Sequence, residues 1–288
     1  MKKIIVFLTS FLLASFLWGF EWPQPNAVES DKLYSYFGQL RGGTISSSLI
    51  FSEPSQINSS DKGKVSIVLT DYKDDTEFFP STLGNCVILS HDDGFLTVYA
   101  NIDSVSFSKE LKESKEIESG TPLGFSGNSA WQQGHSSLEF QVIDSKKNAA
   151  INPRLLMPRI GKELPLYYGE VFLQNKDGRQ FKIPLQTSIS SGNYKIYRTR
   201  QNIAVPYKTR VSINGTIVDQ ISYDMLMQSE LSLCAIGQKN YRKNILYPNN
   251  TMHLIGELSL PPGKNTLQLS MSDILGKEVN ISFPVNSY

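Results

Sequence analysis

The sequence predicts an all-β protein. Short runs rich in β-branched and aromatic residues recur along the chain, and Gly, Asn, Asp and Pro separate them. Outside the N-terminus no long run repeats its apolar residues at the helical period. The runs are Lys64 to Leu69, Cys86 to Ser90, Phe95 to Ala100, Leu138 to Ile143, Gly169 to Gln174, Arg210 to Asn214, Ile217 to Ser222 and Thr266 to Met271. One or two short helices are expected beside them.

The N-terminus is different. Lys2 and Lys3 precede an apolar run from Ile4 to Trp18, broken only by Thr9, Ser10 and Ser15. A basic start followed by an apolar stretch is the form of a secretory signal, and the stretch is shorter than the ~20 residues a spanning helix needs. Leu17-Trp18-Gly19 is not a small-x-small cleavage site, which keeps a retained anchor as the alternative. The expectation is a cleaved signal peptide over residues 1–20. The rest would be periplasmic or otherwise exported, without stable membrane insertion. No cysteine lies near the signal to carry a lipid.

Charge excludes one class of partner. The chain has 28 Lys+Arg against 27 Asp+Glu, so no single-sign field for nucleic acid exists. Cys86 and Cys234 could pair in an oxidising compartment. Two cysteines do not make a disulfide framework, and Cys86 lies in an apolar strand pattern, so two buried free thiols are favoured.

Four segments between Gly84 and Val142 keep a recognisable order. They are Gly84-Asn85-Cys86-Val87-Ile88-Leu89-Ser90-His91, then Gly94-Phe95-Leu96-Thr97-Val98-Tyr99-Ala100-Asn101-Ile102, then Gly120-Thr121-Pro122-Leu123-Gly124-Phe125-Ser126-Gly127-Asn128-Ser129, and finally Leu138-Glu139-Phe140-Gln141-Val142. Around them stand Glu21-Trp22-Pro23, Tyr36-Phe37-Gly38, the run from Gly42 to Phe51, and Ile151-Asn152-Pro153-Arg154-Leu155-Leu156. The set resembles the LytM/lysostaphin-type family of zinc peptidoglycan endopeptidases. The resemblance covers roughly residues 21–160 and implies a β-sheet domain with a groove and a metal on its floor.

The same resemblance implies that the metal site is degenerate. A catalytic zinc takes about three ligands from His, Cys or carboxylate and keeps an open position. Ser46, Ile50 and Glu139 stand where the family has its ligands, Ser137 and Asn101 where it has supporting histidines. Of these only Glu139 could bind a metal well. Three histidines exist, His91, His135 and His253. His91 reads as a turn residue and His253 as an ordinary surface or half-buried one. His135 and Glu139 share a face if the segment is a strand, so a rebuilt metal site at this pair is conceivable, although it would lack a third ligand. Ser137 with His135 has no nucleophile elbow around it. Asp92-Asp93-Gly94 reads as a hairpin turn and not a calcium loop. Expected, then, is a polar binding groove at Ser46, Ile50, Asn101, His135, Ser137 and Glu139, with no cofactor and no metal.

Residues 161–288 change character. Asn175-Lys176-Asp177-Gly178 and Asn214-Gly215 are hairpin signals between alternating runs. The ending from Leu260 to Val279 looks like that of immunoglobulin-like sandwiches, and an Ig-like β-sandwich is expected here. Tyr167, Tyr168, Tyr194, Tyr197 and Tyr207 either form a contact surface or, as favoured, pack the sandwich and its junction. The reading of the whole is a non-catalytic envelope protein, a pseudoenzyme of the zinc endopeptidase class. It would bind peptidoglycan or regulate a cell-wall hydrolase. The alternatives are a structural component of a periplasmic assembly and, behind it, an active metal-dependent endopeptidase.

Overall fold

The strands form where the alternation places them. The computed structural model describes residues 19–24, 32–70, 81–130, 137–159 and 161–288. The expected signal up to Trp18, and His135, lie outside those residues.

In the N-terminal half a hairpin of β1 (Leu40–Arg41) and β2 (Thr44–Ile45) precedes β3 (Leu49–Phe51). Then come β4 (Gly63–Leu69), β5 (Cys86–Ser90), β6 (Phe95–Ala100), β7 (Glu139–Asp144) and β8 (Ala149–Ile151). β4 to β8 lie side by side in chain order, all antiparallel, and β3 pairs with the start of β7. The turn at Asp92-Asp93-Gly94 joins β5 to β6, with Gly94 at φ 94°. Only one short helix, α1 (Glu110–Glu113), interrupts the described strands of this half.

The C-terminal half contains β9 (Val171–Asn175), β10 (Gln180–Ile183), β11 (Ser188–Ile189), β12 (Gly192–Thr199), β13 (Lys208–Ile213) and β14 (Thr216–Ser229). It continues with β15 (Ser232–Ile236), β16 (Asn240–Arg242), α2 (Lys243–Leu246), β17 (Met252–Leu260), β18 (Gly263–Ser272) and β19 (Glu278–Ser287). One sheet runs in the order β10-β9-β12-β17. The other runs β14-β13-β18-β19, with β11 parallel to β19 at the edge. Leu173 and Ile196 from the first sheet meet Val211 and Leu269 from the second, which makes a sandwich core. The Asn214-Gly215 turn has φ of 52° and 84°, the left-handed pair that a tight two-residue hairpin requires.

The two halves are not beads on a linker. Alternation predicts a strand only from Ile217 to Ser222, yet β14 runs to Ser229. Its far end pairs with β8, Met225 to Met227 against Ala149 to Ile151, so one sheet crosses from half to half. β8 would otherwise be a bare edge, and the extension covers it. Tyr99 and Phe140 share a core with Tyr223, Tyr247 and Leu254. Each buried side chain of this size contributes ~1.5–3 kcal/mol, so the junction acts as core and not as linker. Of the five tyrosines singled out, Tyr168, Tyr194 and Tyr197 are buried and Tyr167 is exposed. Cys86 and Cys234 are buried and unpaired. Burial pushes the Cys86 thiol up to about 11, out of the range of a reactive thiolate.

Candidate functional site

The candidate site lies where β3, β6 and β7 meet. Glu139 opens β7 and stands opposite Ile50 on one side and Ala100 on the other. Directly opposed residues share a face, so the aliphatic side chain of Ile50 is a neighbour of the carboxylate. Ser48 is two residues before Ile50, on that same face, and its Oγ donates to Glu139 Oε1 at 2.7 Å. Ser46 Oγ in turn donates to the Ser48 carbonyl at 3.2 Å.

A residue absent from the sequence expectation completes the cluster. Arg41 Nη1 donates to Glu139 Oε1 at 3.0 Å, with side-chain exposures of 21% and 7%. Arg41 is the last residue of β1, and Gly42 and Gly43 turn the chain with φ of 54° and 83°. Few residues other than glycine accept that pair of angles, so the tight turn fixes where Arg41 projects. The hairpin base closes through Gly38 N to Ser46 O at 2.8 Å and Ser46 N to Gln39 O at 2.7 Å.

Asn101 and Ser137 form a second cluster. Asn101 has φ 66°, a conformation asparagine tolerates better than most residues. Its Oδ1 accepts from Ser129 N and Ala130 N, both at 2.9 Å, and its Nδ2 donates to Ser137 O at 2.7 Å. Asn101 therefore ties the end of β6 to two neighbouring segments. Ser46, Ile50, Asn101, Ser137 and Glu139 are all at most 5% exposed. His135 lies outside the described residues, and nothing places it beside Glu139.

The described residues do not fit a zinc ion. Ile50 has no donor atom, and Asn101 spends its amide on backbone partners. The one carboxylate already carries a guanidinium and a hydroxyl. Among the described residues no group of three or more His, Cys, Asp or Glu could hold a metal. His91 is a brace for the β5–β6 turn, as expected of a turn residue. Its Nδ1 bonds Lys62 O at 2.7 Å and its Nε2 bonds Thr97 Oγ1 at 2.8 Å.

His253 departs from expectation. It is 1% exposed, at the centre of the junction between the halves. Arg198 Nη2 approaches its Nδ1 at 3.4 Å, and Tyr223 OH lies 2.6 Å from its Nε2. Arginine only donates, so Nδ1 accepts and Nε2 carries the proton. Tyr247 stacks on the ring at 4.7 Å and donates to Gly38 O at 2.7 Å. Burial, then Arg198 and Arg200, hold the His253 imidazole well below its usual range, so it is neutral. The sequence signal was a lone histidine inside the apolar run of β17. Gln39 Nε2 also donates to Asn202 O. Residues of the C-terminal half thus grip the base of the hairpin that carries Arg41.

Comparison with known proteins agrees with the frame. A family model described as Peptidase family M23 matches residues 48–153. A second family model matches residues 165–288. An uncharacterized protein of Treponema pallidum (strain Nichols) is 32% identical over 124 residues, 40% of this chain and 81% of that protein. Among solved structures, a zinc-containing peptidase from Vibrio cholerae is similar at 17% identity and a TM-score of 0.36, over 47% of this chain and 39% of that one. The SpoIIQ–SpoIIIAH pore-forming complex is similar at 18% identity and a TM-score of 0.37, over 49% of this chain and 92% of that one. Residues 48–153 form an M23, LytM-type domain, and the chain belongs to the family of the Treponema protein.

Proposed function

We propose that this is a non-catalytic protein of the cell envelope, in which the M23 fold serves as a platform and not as a hydrolase. One observation carries the reading: the Arg41 guanidinium, bonded to the same Glu139 oxygen that accepts from Ser48, provides the positive charge that a metal would otherwise bring to that carboxylate. A fixed cation from the chain itself satisfies the buried acid without any open coordination position for water. Binding of peptidoglycan or control of a cell-wall hydrolase through the old metal position is therefore disfavoured, because its polar groups are buried and engaged. The geometry favours the structural alternative, a component of an exported assembly. The signal expected at residues 1–20 supports export. The C-terminal sandwich supports an Ig-like module, since β9, β12 and β17 face β14, β13, β18 and β19 with crossovers between the sheets.

The test is zinc content and wall hydrolysis of the purified protein after zinc loading and desalting. The expected result is no stoichiometric zinc and no cleavage of peptidoglycan. One zinc per chain, lost together with cleavage on Glu139→Ala, would overturn the proposal and return His135 to the list of ligands.

A further inference from the structure

A cavity of about 880 Å³ lies on the C-terminal half, far from the Arg41–Glu139 pair in sequence and built from other elements. Its floor is the outer face of the sheet β10-β9-β12-β17. Leu173, Ile196 and Leu258 point into the sandwich, so the alternate residues Gln174, Lys195 and Glu257 point out. Register sets those three in one row, Gln174 opposite Lys195 and Lys195 opposite Glu257. Further along the same face, Phe172 and Tyr197 are covered by the junction core. The cavity is the part of this face that the junction leaves open. Lys239 stands at the wall, Lys176 at the hairpin rim, and Ile217, 58% exposed, supplies an apolar lip.

The charges on this surface are unevenly spent. Glu257 Oε2 accepts from Lys239 Nζ at 2.8 Å, while its Oε1 is buried with no hydrogen-bond partner. Lys195 is half-buried, and among the described residues its ammonium makes no ion pair. An ammonium without a fixed counter-charge favours an arriving anion. Three lysines against one glutamate leave the cavity net positive. Amide and hydroxyl groups on its lining suit ligand hydroxyls and amides.

We propose that this cavity is a binding site for a carboxylate-bearing ligand rich in hydroxyl and amide groups. Lys195 takes the carboxylate, with Lys176 as a second contact at the rim. Gln174 takes a ligand N–H or O–H donor, and Ile217 lies against the apolar face of a sugar or side chain. The site does not depend on the silence of the M23 domain. A failed titration here leaves the zinc assay untouched, and the reverse holds too.

The experiment is calorimetric titration of the purified protein with three probes: a soluble disaccharide–tetrapeptide muropeptide, an uncharged chito-oligosaccharide, and the free acidic stem peptide. The muropeptide should bind saturably and the uncharged sugar at least about tenfold more weakly. Lys195→Ala should weaken muropeptide binding by about tenfold or more, the scale of one charge-assisted hydrogen bond. Lys112→Ala on α1 should leave it within about twofold, because distant sites act independently. Equal binding of the free peptide would support the proposal and assign the contact to the stem carboxylates. Weaker binding of the peptide would also support it and assign part of the contact to the sugar. No saturable binding by any probe would overturn it. So would equal affinity for the uncharged sugar, or full affinity in the Lys195→Ala, Lys176→Ala double variant.

Discussion

The old metal position and the C-terminal cavity use similar side chains to opposite ends. At the first, Arg41, Glu139, Ser46 and Ser48 are buried or nearly so, and each finds a partner within the chain. At the second, Lys195 makes no ion pair among the described residues and borders open volume, and one oxygen of Glu257 is buried without a hydrogen-bond partner. A polar cluster that satisfies itself contributes to folding and offers little to a ligand. A cluster left unsatisfied costs some stability and keeps its hydrogen bonds for something else. Internal pairing marks the first region, and unspent chemistry marks the second.

The sharpest way to break that comparison is to remove Arg41. Arg41→Ala leaves the Glu139 carboxylate in its buried place without its cation. Removing one partner of a buried pair costs ~3–5 kcal/mol, and the partial exposure of Arg41 puts the expectation below that range, at ~2–3 kcal/mol. Denaturant unfolding measures it. The double variant Arg41→Ala, Glu139→Gln should recover part of the loss, because the stranded charge goes too. Muropeptide binding by the folded fraction should not change. A loss of under ~0.5 kcal/mol, the scale of an ordinary surface substitution, would mean that the pair is incidental and the site is not sealed.

Acid should act next most strongly, through the junction. His253 is neutral in the folded protein because its pKa is depressed, by burial first and the two arginines after. In the unfolded chain it takes a proton below ~6.5. Its contribution to stability is therefore complete above that pH and is lost as pH falls below it. The slope is up to ~1.4 kcal/mol per pH unit for one proton. Urea midpoints compared between pH 7 and pH 5 measure it, and His253→Gln should flatten the dependence. Equal slopes in the two proteins would show that the proton goes elsewhere.

These two tests touch what the sequence could and could not tell. The strands were legible because alternation and Asn-Gly or Asp-Gly turns are local, and the M23 frame because its motifs keep their order. The expectation that Ser46, Ile50 and Glu139 occupy ligand positions rests on the same order of motifs. Arg41 was not, although its Gly42-Gly43 turn was in view. Its partner is 98 positions away, and no local pattern says that the hairpin folds onto β7. The far end of β14 was missed because Asp224, Met225 and Gln228 break the expected alternation. The strand pairs there with β8 along one edge and with β15 along the other. His253 was misread because a single histidine in an apolar run was taken as half exposed, while Arg198 and Tyr223 that satisfy it are distant in sequence. The cavity was invisible throughout. Gln174, Lys195 and Glu257 become a row only when β9, β12 and β17 align.

The smallest effect sharpens the comparison most. Lys195 makes no ion pair among the described residues, so Lys195→Ala should change stability by no more than ~0.5 kcal/mol, as for an ordinary surface substitution. The same variant is the one expected to lose ligand affinity. Arg41→Ala should do the reverse, losing stability and keeping affinity. If Lys195→Ala instead unfolds the protein as readily as Arg41→Ala, then Lys195 is held by Glu257 in solution. The cavity would then be as self-satisfied as the old metal position, and the contrast between the two regions would disappear.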